Sequence, residues 1–233
     1  MELFVGTSGW YYDWNEELSL EWYIKNSNLN AIELNASFYR FPFPNQIKSW
    51  ANKGAQLHWA VKVNRLITHQ YKFSENGLKI WERFYKLFLP LEPSIDYYLF
   101  QLPPNMGIKM INKISRFIDK IKINKKFALE FRNSTWFNDQ IIKWAESIGI
   151  TIVSIDAPDL PRTIFNTSRN VYLRMHGREM WYAHNYTNSE LKEIAERLIL
   201  CRPDRIYVFF NNNHNMLRNA QKMMEILKDK VKK

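Results

Sequence analysis

FALEFRN, residues 127–133, is the stretch that decides the fold, because it is a short apolar strand that ends on opposite charges. Side chains alternate between the two faces of a strand, so Glu130 and Arg132 are expected to share one face with Ala128. Seven further short apolar runs occur, and most of them also end on charged or amide side chains. These runs lie at 3–8, 31–36, 58–64, 97–102, 151–156, 171–176 and 206–212.

Helical patterns alternate with these eight runs. The clearest lie at 78–89, 109–122, 138–148, 188–200 and 216–230. Such alternation is typical of βαβ units, and eight strands in serial order favour an α/β TIM-type (β/α)8 barrel over an open sheet. Pro158 and Pro161 predict a shortened or missing helix after strand six. No linker or repeat interrupts the chain, so we expect a single TIM-barrel-like domain over residues 1–233.

The chain carries a formal net charge of +10 and has a pI of about 9.5, which favours anionic partners. Segment 109–126 is predicted to form an amphipathic helix whose basic outer face contacts phosphates or simply keeps the protein soluble. No apolar run reaches ~18–20 residues, so we expect no transmembrane helix and no membrane partner. The N-terminal stretch lacks a basic secretory segment and Cys201 is the single cysteine, so we expect a cytoplasmic protein.

Six charged side chains are expected to point to the barrel axis from the carboxyl ends of the strands. They are Glu33, Lys62, Glu130, Arg132, Asp156 and Arg174. An unpaired buried charge costs on the order of several kcal/mol, so these groups must pair with one another or with a ligand. Two interpretations stay open: an internal ion-pair network that replaces part of the apolar core, and a site for catalysis or ligand binding.

The candidate catalytic residues are carboxylates and histidines at or after the strand ends. They are Glu33, Glu130, Asp156, His69 and His176. The candidate ligand-binding residues are amide, cationic or aromatic. They are Asn35, Tyr39, Lys62, Gln101, Arg132, Trp136, Arg174, Asn211 and Asn212. For the last two asparagines, capping of the final helix is an equal alternative.

An aromatic rim is expected from the loops after strands one, two, five and seven. Flat apolar walls with a few directed polar groups suit sugars or nucleobases. The rings concerned are Trp10, Tyr11, Tyr12, Trp14, Phe38, Tyr39, Phe41, Phe43, Trp136, Phe137, Trp181, Tyr182 and Tyr186. For any single ring, a purely structural role in capping the barrel is the simpler interpretation.

The first functional hypothesis is an enzyme that uses barrel-mouth carboxylates for acid–base or hydrolytic chemistry on a small anionic, phosphorylated or sugar-like ligand. Arg132, Arg174 and Lys62 would hold a phosphate or carboxylate group of that ligand. A Schiff-base role for Lys62 requires that burial lower its pKa, because pairing with a carboxylate would keep the lysine protonated.

Two alternatives use other chemistry. A divalent metal cofactor is one, because the candidate carboxylates and histidines are suitable ligands; three cations in the same layer oppose it, so no cofactor and no metal ligands are assigned. The other is a nucleic-acid or nucleotide binding protein, including a metal-dependent nuclease, that uses the basic surface and the aromatic rim. Steep salt dependence would distinguish backbone binding from a small-ligand pocket.

Seven motifs occur in order along the chain: GTSGW at 6–10, Glu33-x-Asn35 with SFYR at 37–40, LITH at 66–69, LFQLPP at 99–104, LEFRNSTWF at 129–137, LRMHGR at 173–178 and FNNN at 210–213. Together they resemble the YecE-like family, a widespread prokaryotic domain of unknown function numbered seventy-two. The resemblance implies a TIM-barrel-like fold and supplies neither a reaction nor catalytic residues. The segments after strands one and six look shorter than is usual in that family, which predicts a more open rim.

Overall fold

Eight parallel strands close into a barrel in sequence order in the computed structural model, which describes residues 1–232. The strands are β1 Glu2–Thr7, β2 Ala31–Leu34, β3 His58–Lys62, β4 Ile95–Gln101, β5 Phe127–Glu130, β6 Thr151–Asp156, β7 Asn170–Met175 and β8 Arg205–Phe210. All eight predicted strands are confirmed, with ends that shift by one or two residues. The predicted (β/α)8 barrel is therefore correct.

Seven α-helices surround the barrel within residues 1–232. They are α1 Leu20–Asn26, α2 Pro44–Lys53, α3 Glu75–Phe88, α4 Ile111–Ile121, α5 Asp139–Ile148, α6 Asn188–Leu200 and α7 Met216–Val231. The five predicted helices correspond to α3–α7, whereas the sequence patterns did not predict α1 and α2. No helix connects β6 to β7 in this part of the chain, which confirms the prediction for strand six.

The floor of the barrel pairs small side chains with large aromatic ones. Alanines on β2, β3 and β5 leave space that aromatic rings from β1, β4, β7 and β8 fill. This inner cluster consists of Phe4, Ala31, Ala60, Tyr97, Leu99, Ala128, Val153, Tyr172, Tyr207 and Phe209. Because every second residue of a strand shares a face, the next inward positions on β2, β3, β5 and β7 carry charged side chains. An apolar floor thus lies directly beneath a charged layer.

The seam of the barrel lies between the first and last strands. β1 pairs with β8 from Glu2↔Arg205 to Thr7↔Phe210, whereas its pairing with β2 is limited to Gly6↔Ala31 and Thr7↔Ile32. A Cβ on Gly6 would lie 2.2 Å from the Ala31 carbonyl oxygen, so only glycine permits this close approach of β1 to β2. In the described chain, no helix is both long and apolar enough to cross a bilayer.

Candidate functional site

Arg174 is the centre of the charged layer and is fully buried. Its guanidinium holds Glu33 bidentately, with Nε donating to Oε2 at 2.9 Å and Nη2 donating to Oε1 at 2.6 Å. On its other side, Nη1 donates to Glu130 Oε2 at 2.5 Å. Both carboxylates are also fully buried. One cation therefore joins two anions that come from opposite sides of the barrel, β2 and β5.

Further hydrogen bonds complete the coordination of Glu33. Ser8 Oγ donates to Oε1 at 2.7 Å, and Tyr172 OH donates to Oε2 at 2.6 Å. Asn35 Oδ1 accepts a longer bond of 3.4 Å from Arg174 Nη2. A buried carboxylate with this many donors is held in one position, and Tyr172 links it to the apolar floor below.

Arg132 forms a third ion pair in the layer, with Glu130. Its Nε donates to Glu130 Oε1 at 2.5 Å, and its Nη2 donates to His176 Nε2 at 3.1 Å. The Trp181 ring covers the guanidinium at 4.6 Å from the ring centroid, a cation–π contact. Arg132 is thus less deeply buried than Arg174, with 9% of its side chain exposed.

The protonation states of the layer follow from these contacts. Burial alone would raise the pKa of Glu130, but Arg132, Arg174 and Lys62 outweigh burial and hold it at about 2. Burial likewise disfavours the Arg174 cation, yet Glu130 and Glu33 keep its pKa well above the usual value. At neutral pH, Glu130 is therefore an anion that neither donates nor readily accepts a proton.

His176 is neutral. Burial, followed by the positive charges of Arg174 and Arg132, lowers its pKa well below the usual value. Guanidinium N–H groups only donate, so Nε2 accepts from them and the ring proton lies on Nδ1. The Asn211 amide lies 3.4 Å from Nδ1 and accepts this proton when its oxygen faces the ring. His176 is thus engaged on both nitrogens.

Lys62 differs from the other charged groups because its amine has no carboxylate partner within residues 1–232. It lies at the carboxyl end of β3 with 8% of its surface exposed. Its Nζ sits 4.1 Å from the centroid of the Phe38 ring. Burial and the charge of Arg174 lower its pKa to about 7, although Glu130 and Glu33 oppose this shift. Near neutral pH, Lys62 therefore exchanges between ammonium and amine.

His69 packs against the same Phe38 ring, with ring centroids 5.1 Å apart. It lies in a short π-helix, Leu66–Gln70, a form that is frequent at functional sites. Burial, then the charges of Lys62 and Arg65, lowers its pKa to about 4, so the imidazole is neutral. Thr68 Oγ1 lies 2.8 Å from Nδ1 and orients the ring.

A cleft of about 480 Å³ opens beside the charged layer, between the loops that follow β1 and β2. Ser8 and Asn35 belong both to its lining and to the hydrogen bonds around Glu33 and Arg174. Its walls are largely aromatic. The polar lining includes one cation, Arg40, and two amides, Asn35 and Gln46. The aromatic lining residues are Trp10, Tyr11, Tyr12, Tyr39 and Trp50. Its volume suits a small molecule.

Asp156 does not belong to the charged layer, and the prediction that it points inward is wrong. Val153 lies in the inner cluster, so Asp156 lies on the opposite face of β6. There it accepts from Tyr186 OH at 2.8 Å and from Arg178 Nε at 3.3 Å. These bonds fix the loop that follows β7, so the carboxylate has a structural role in the fold.

Trp136 and Asn212 also lie outside the charged layer, with their side chains bonded to other parts of the fold. Trp136 is fully buried, stacks on Phe131 with centroids 4.7 Å apart, and donates from Nε1 to the Met106 carbonyl at 2.8 Å. Asn212 is buried outside the barrel, where Nδ2 donates to Asn219 Oδ1 at 2.8 Å. The predicted side-chain cap by Asn212 is absent from the short 3₁₀ turn that it begins.

The other predicted ligand-binding residues lie at the mouth. Gln101 is the last residue of β4, faces inward beside Glu130 in the sheet register, and is half-buried. Tyr39 is 71% exposed at the edge of the cleft. Asn211 contacts His176, as described above. None of these placements tests a role in binding, which stays a prediction.

Ser8 and Tyr172 are site residues that the sequence did not predict, and Phe38 and Trp181 were predicted only as rings of the aromatic rim. Ser8 and Tyr172 hold Glu33, whereas Phe38 and Trp181 hold the two mouth cations by their ring faces. The alternation rule places Tyr172 below Arg174 and so gave a usable signal. Ser8, Phe38 and Trp181 follow strand ends, where only the folded loop shows which way a side chain points.

The basic segment 109–126, which contains α4, is partly neutralised. Lys120 pairs with Glu75 of α3, and Lys126 Nζ donates to Glu92 Oε1 at 2.8 Å. In the described chain, no three His, Cys, Asp or Glu side chains are close enough together to hold a metal ion. The metal and nucleic-acid alternatives are not tested by these contacts and stay predictions.

Fold and site together define a (β/α)8-barrel protein with a buried ion-pair layer at its mouth. The sequence model described as "Protein of unknown function DUF72" matches residues 4–233. The chain therefore belongs to this family, which is the YecE-like family of the sequence resemblance. No curated protein matches the chain.

Solved structures give the same result. A DUF72 family protein from Thermotoga maritima has a TM-score of 0.85 at 24% identity, covering 98% of this chain and 100% of that one. A DUF72 family protein from Enterococcus faecalis has a TM-score of 0.84 at 20% identity, covering 97% and 95%. A D-psicose 3-epimerase from Clostridium cellulolyticum, solved with D-tagatose, has a TM-score of 0.57 at 10% identity, covering 98% and 99%. At these identities the likeness concerns the fold.

Proposed function

We propose that this protein is an enzyme that performs acid–base chemistry on a small sugar-like or anionic molecule bound at the barrel mouth. The observation that carries the proposal is the Lys62 amine, which has no carboxylate partner although two carboxylates lie in the same layer. An unpaired, largely buried lysine costs stability, so its presence favours a role in chemistry.

Charge balance supports the same conclusion. Glu33 and Glu130 are balanced by Arg174 and Arg132, so the Lys62 proton is the excess charge of the layer. A group whose pKa is about 7 can accept a proton from a substrate and return it at neutral pH. Arg132 would hold an anionic group of the substrate, because its side chain is partly exposed whereas that of Arg174 is fully buried.

The cleft favours a sugar-like substrate. Its aromatic walls can pack against the apolar faces of a sugar ring, and its amides can bind hydroxyl groups. Sugar epimerases among proteins of similar fold agree with this choice, but only as an analogy of fold. Hydrolysis with Glu130 as the general acid is disfavoured, because its pKa of about 2 leaves it without a proton at neutral pH.

The test is carbon–hydrogen exchange in D₂O, followed by proton NMR. The substrates are ketoses and aldoses, such as D-fructose and D-ribose, each as the free sugar and the phosphate ester, chosen by thermal shift at low and high salt. We expect exchange with the wild type and a loss of at least ~100-fold in Lys62→Met. Lys53→Met is the matched control, because Lys53 is an exposed partner of Glu21 and should exchange normally.

Two results would contradict the proposal. One is exchange that persists unchanged in Lys62→Met. The other is a thermal shift with single-stranded nucleic acid alone that disappears at high salt, which would favour the nucleic-acid alternative.

A further inference from the structure

The proposed function leaves open how a lysine at this position would act on its substrate. We propose that the Lys62 Nζ forms an imine with the carbonyl carbon of an aldehyde or ketone substrate, so that the protein belongs mechanistically with Schiff-base barrel enzymes. This inference rests on the proposed function and narrows its substrate class to carbonyl compounds.

The first support is the location of the amine. Lys62 is the last residue of β3, so its side chain rises from the rigid barrel wall toward the carboxyl-end mouth. Ala60 lies two residues earlier on the same face, within the apolar floor. The lysine stem therefore stands on a packed surface, and 8% of the residue stays exposed.

The second support is the set of partners that the amine lacks. Both buried carboxylates are occupied, Glu33 by Arg174 and Glu130 by Arg174 and Arg132. A carboxylate-paired lysine stays protonated and is not nucleophilic, whereas a lysine that is desolvated next to another cation is activated. Here the guanidinium of Arg174 is that cation, and it also lowers the pKa of Lys62. The arginines thus keep the carboxylates away from the amine.

The chemistry balances with the groups at hand. The neutral Lys62 nitrogen attacks the carbonyl carbon, and a C–N bond forms. The two N–H protons pass to the carbonyl oxygen, which leaves as water when the C=N bond forms. His69, neutral and packed on the same Phe38 ring, is placed to relay these protons. Arg132 is placed to hold a phosphate or carboxylate of the same substrate.

The experiment is reductive trapping at pH 7 with glycolaldehyde and sodium cyanoborohydride, which converts an imine to a stable secondary amine. Peptide mass spectrometry then locates the label. We expect Lys62 to be modified at least ~10-fold faster than Lys126 of the same chain, because at pH 7 a group with a pKa of about 7 is roughly half amine, whereas a lysine at its usual pKa is almost entirely ammonium. Lys126 is a fitting internal control, since it is also partly buried but pairs with Glu92.

If the labelling rate of each lysine instead follows its exposure, and Lys62 is labelled no faster than Lys126, the imine proposal is wrong. Lys62→Arg separates this failure from that of the proposed function, since arginine keeps a positive charge but forms no imine. The imine is supported if Lys62→Arg loses C–H exchange and the wild type is trapped at Lys62. Loss of exchange without trapping leaves Lys62 as a proton acceptor only. If neither trapping nor exchange occurs in the wild type, the proposed function fails as well.

Discussion

At the scale of single residues, Arg174 decides whether the barrel can hold two buried carboxylates. Arg174→Met leaves Glu33 and Glu130 without their shared partner, so we expect a loss of about 3–5 kcal/mol in the free energy of unfolding. Urea unfolding at pH 7 measures this loss. Arg169→Met is the matched control: its ion pair with Asp204 is largely exposed and should contribute at most about 1 kcal/mol.

A second variant shows that the loss comes from an unpaired anion. Arg174→Met leaves Glu33 without a cation, whereas Glu130 keeps Arg132. Adding Glu33→Gln removes the unpaired charge, so the double variant should be more stable than the sum of the single changes. Strict additivity would mean that Arg174 contributes by packing and not by charge.

Replacing Lys62 should stabilise the protein, whereas replacing Arg174 should destabilise it. The pKa of Lys62 falls from 10.5 in the unfolded chain to about 7 in the fold. Between these two pH values the unfolded chain binds more protons than the folded one. The free energy of unfolding that Lys62 costs therefore grows as pH falls from about 10.5 to 7. The shift alone corresponds to at most about 5 kcal/mol, which the contact with Phe38 partly offsets. We expect Lys62→Met to be about 1–3 kcal/mol more stable than the wild type at pH 7.

Urea unfolding of Lys62→Met at pH 7, 8 and 9 measures this effect. The advantage of the variant should shrink with each pH unit, since the cost of the buried lysine falls steadily as pH rises from about 7 towards 10.5. Two of the buried charges around it keep their ionisation over this range, because the pKa of Glu130 is about 2 and that of Arg174 lies well above its usual value. A constant difference across the three pH values would show that Lys62 does not titrate near neutrality.

At the scale of elements, the strands were predictable and the direction of individual loops was not. Because side chains alternate along a strand, the sequence correctly predicted that Glu130, Arg132 and Arg174 point into the barrel. The prediction for Asp156 was wrong because barrel closure decides which alternate residues of β6 point inward. Thr151 and Val153 face Tyr97 and the inner cluster, so Asp156 lies on the outer face. A one-residue difference in parity moves every side chain of a strand to the other face.

Helices α1 and α2 escaped prediction for local reasons. α1 has seven residues, too few for a clear apolar period, and its start depends on the Ser19 cap. α2 begins at Pro44 within a proline-rich stretch that resembles a loop, although proline is well suited to the first turn of a helix. Trp136 shows the same limit for a single side chain, because a rim ring and a core ring look identical in sequence.

The contact between β1 and β2 gives a prediction for these elements. Gly6→Ala should destabilise the protein by at least about 2 kcal/mol, because the new Cβ would lie 2.2 Å from the Ala31 carbonyl oxygen. Gly77→Ala in α3 is the matched control. Its nearest neighbour would lie 3.6 Å away, so it should be neutral or stabilise by up to about 1 kcal/mol. Equal melting temperatures for the two variants would contradict the close approach.

At the scale of the whole molecule, the barrel separates the residues that pack its core from the charged layer at its carboxyl end. The apolar floor and the outer helices supply the packing, and the carboxyl-end layer carries the charges whose placement costs stability. The ion pairs that tie Arg174 to both sides of the barrel make the layer rigid, and rigid placement is what a reactive lysine requires.

Closure of the barrel depends on its last helix, and removing that helix tests whether the chain folds as one unit. α7 packs against β1 and β8, the strands of the seam. Its buried face consists of Met216, Leu217, Asn219, Ala220, Met223, Met224, Ile226 and Leu227. A chain that ends at Asn215 exposes the apolar outer face of both seam strands. We therefore expect loss of the near-ultraviolet circular dichroism of tryptophans throughout the protein.

A chain that ends at Asp229 is the control, because it keeps the whole buried face of α7 and loses only exposed or partly exposed residues among those described. Its melting temperature should stay within a few degrees of the wild type. If the Asn215 truncation instead kept native tryptophan signals and lost helix content only in proportion to its length, the barrel would close without α7. The first and last strands would then hold the seam by their hydrogen bonds alone, and the chain would not fold as one cooperative domain.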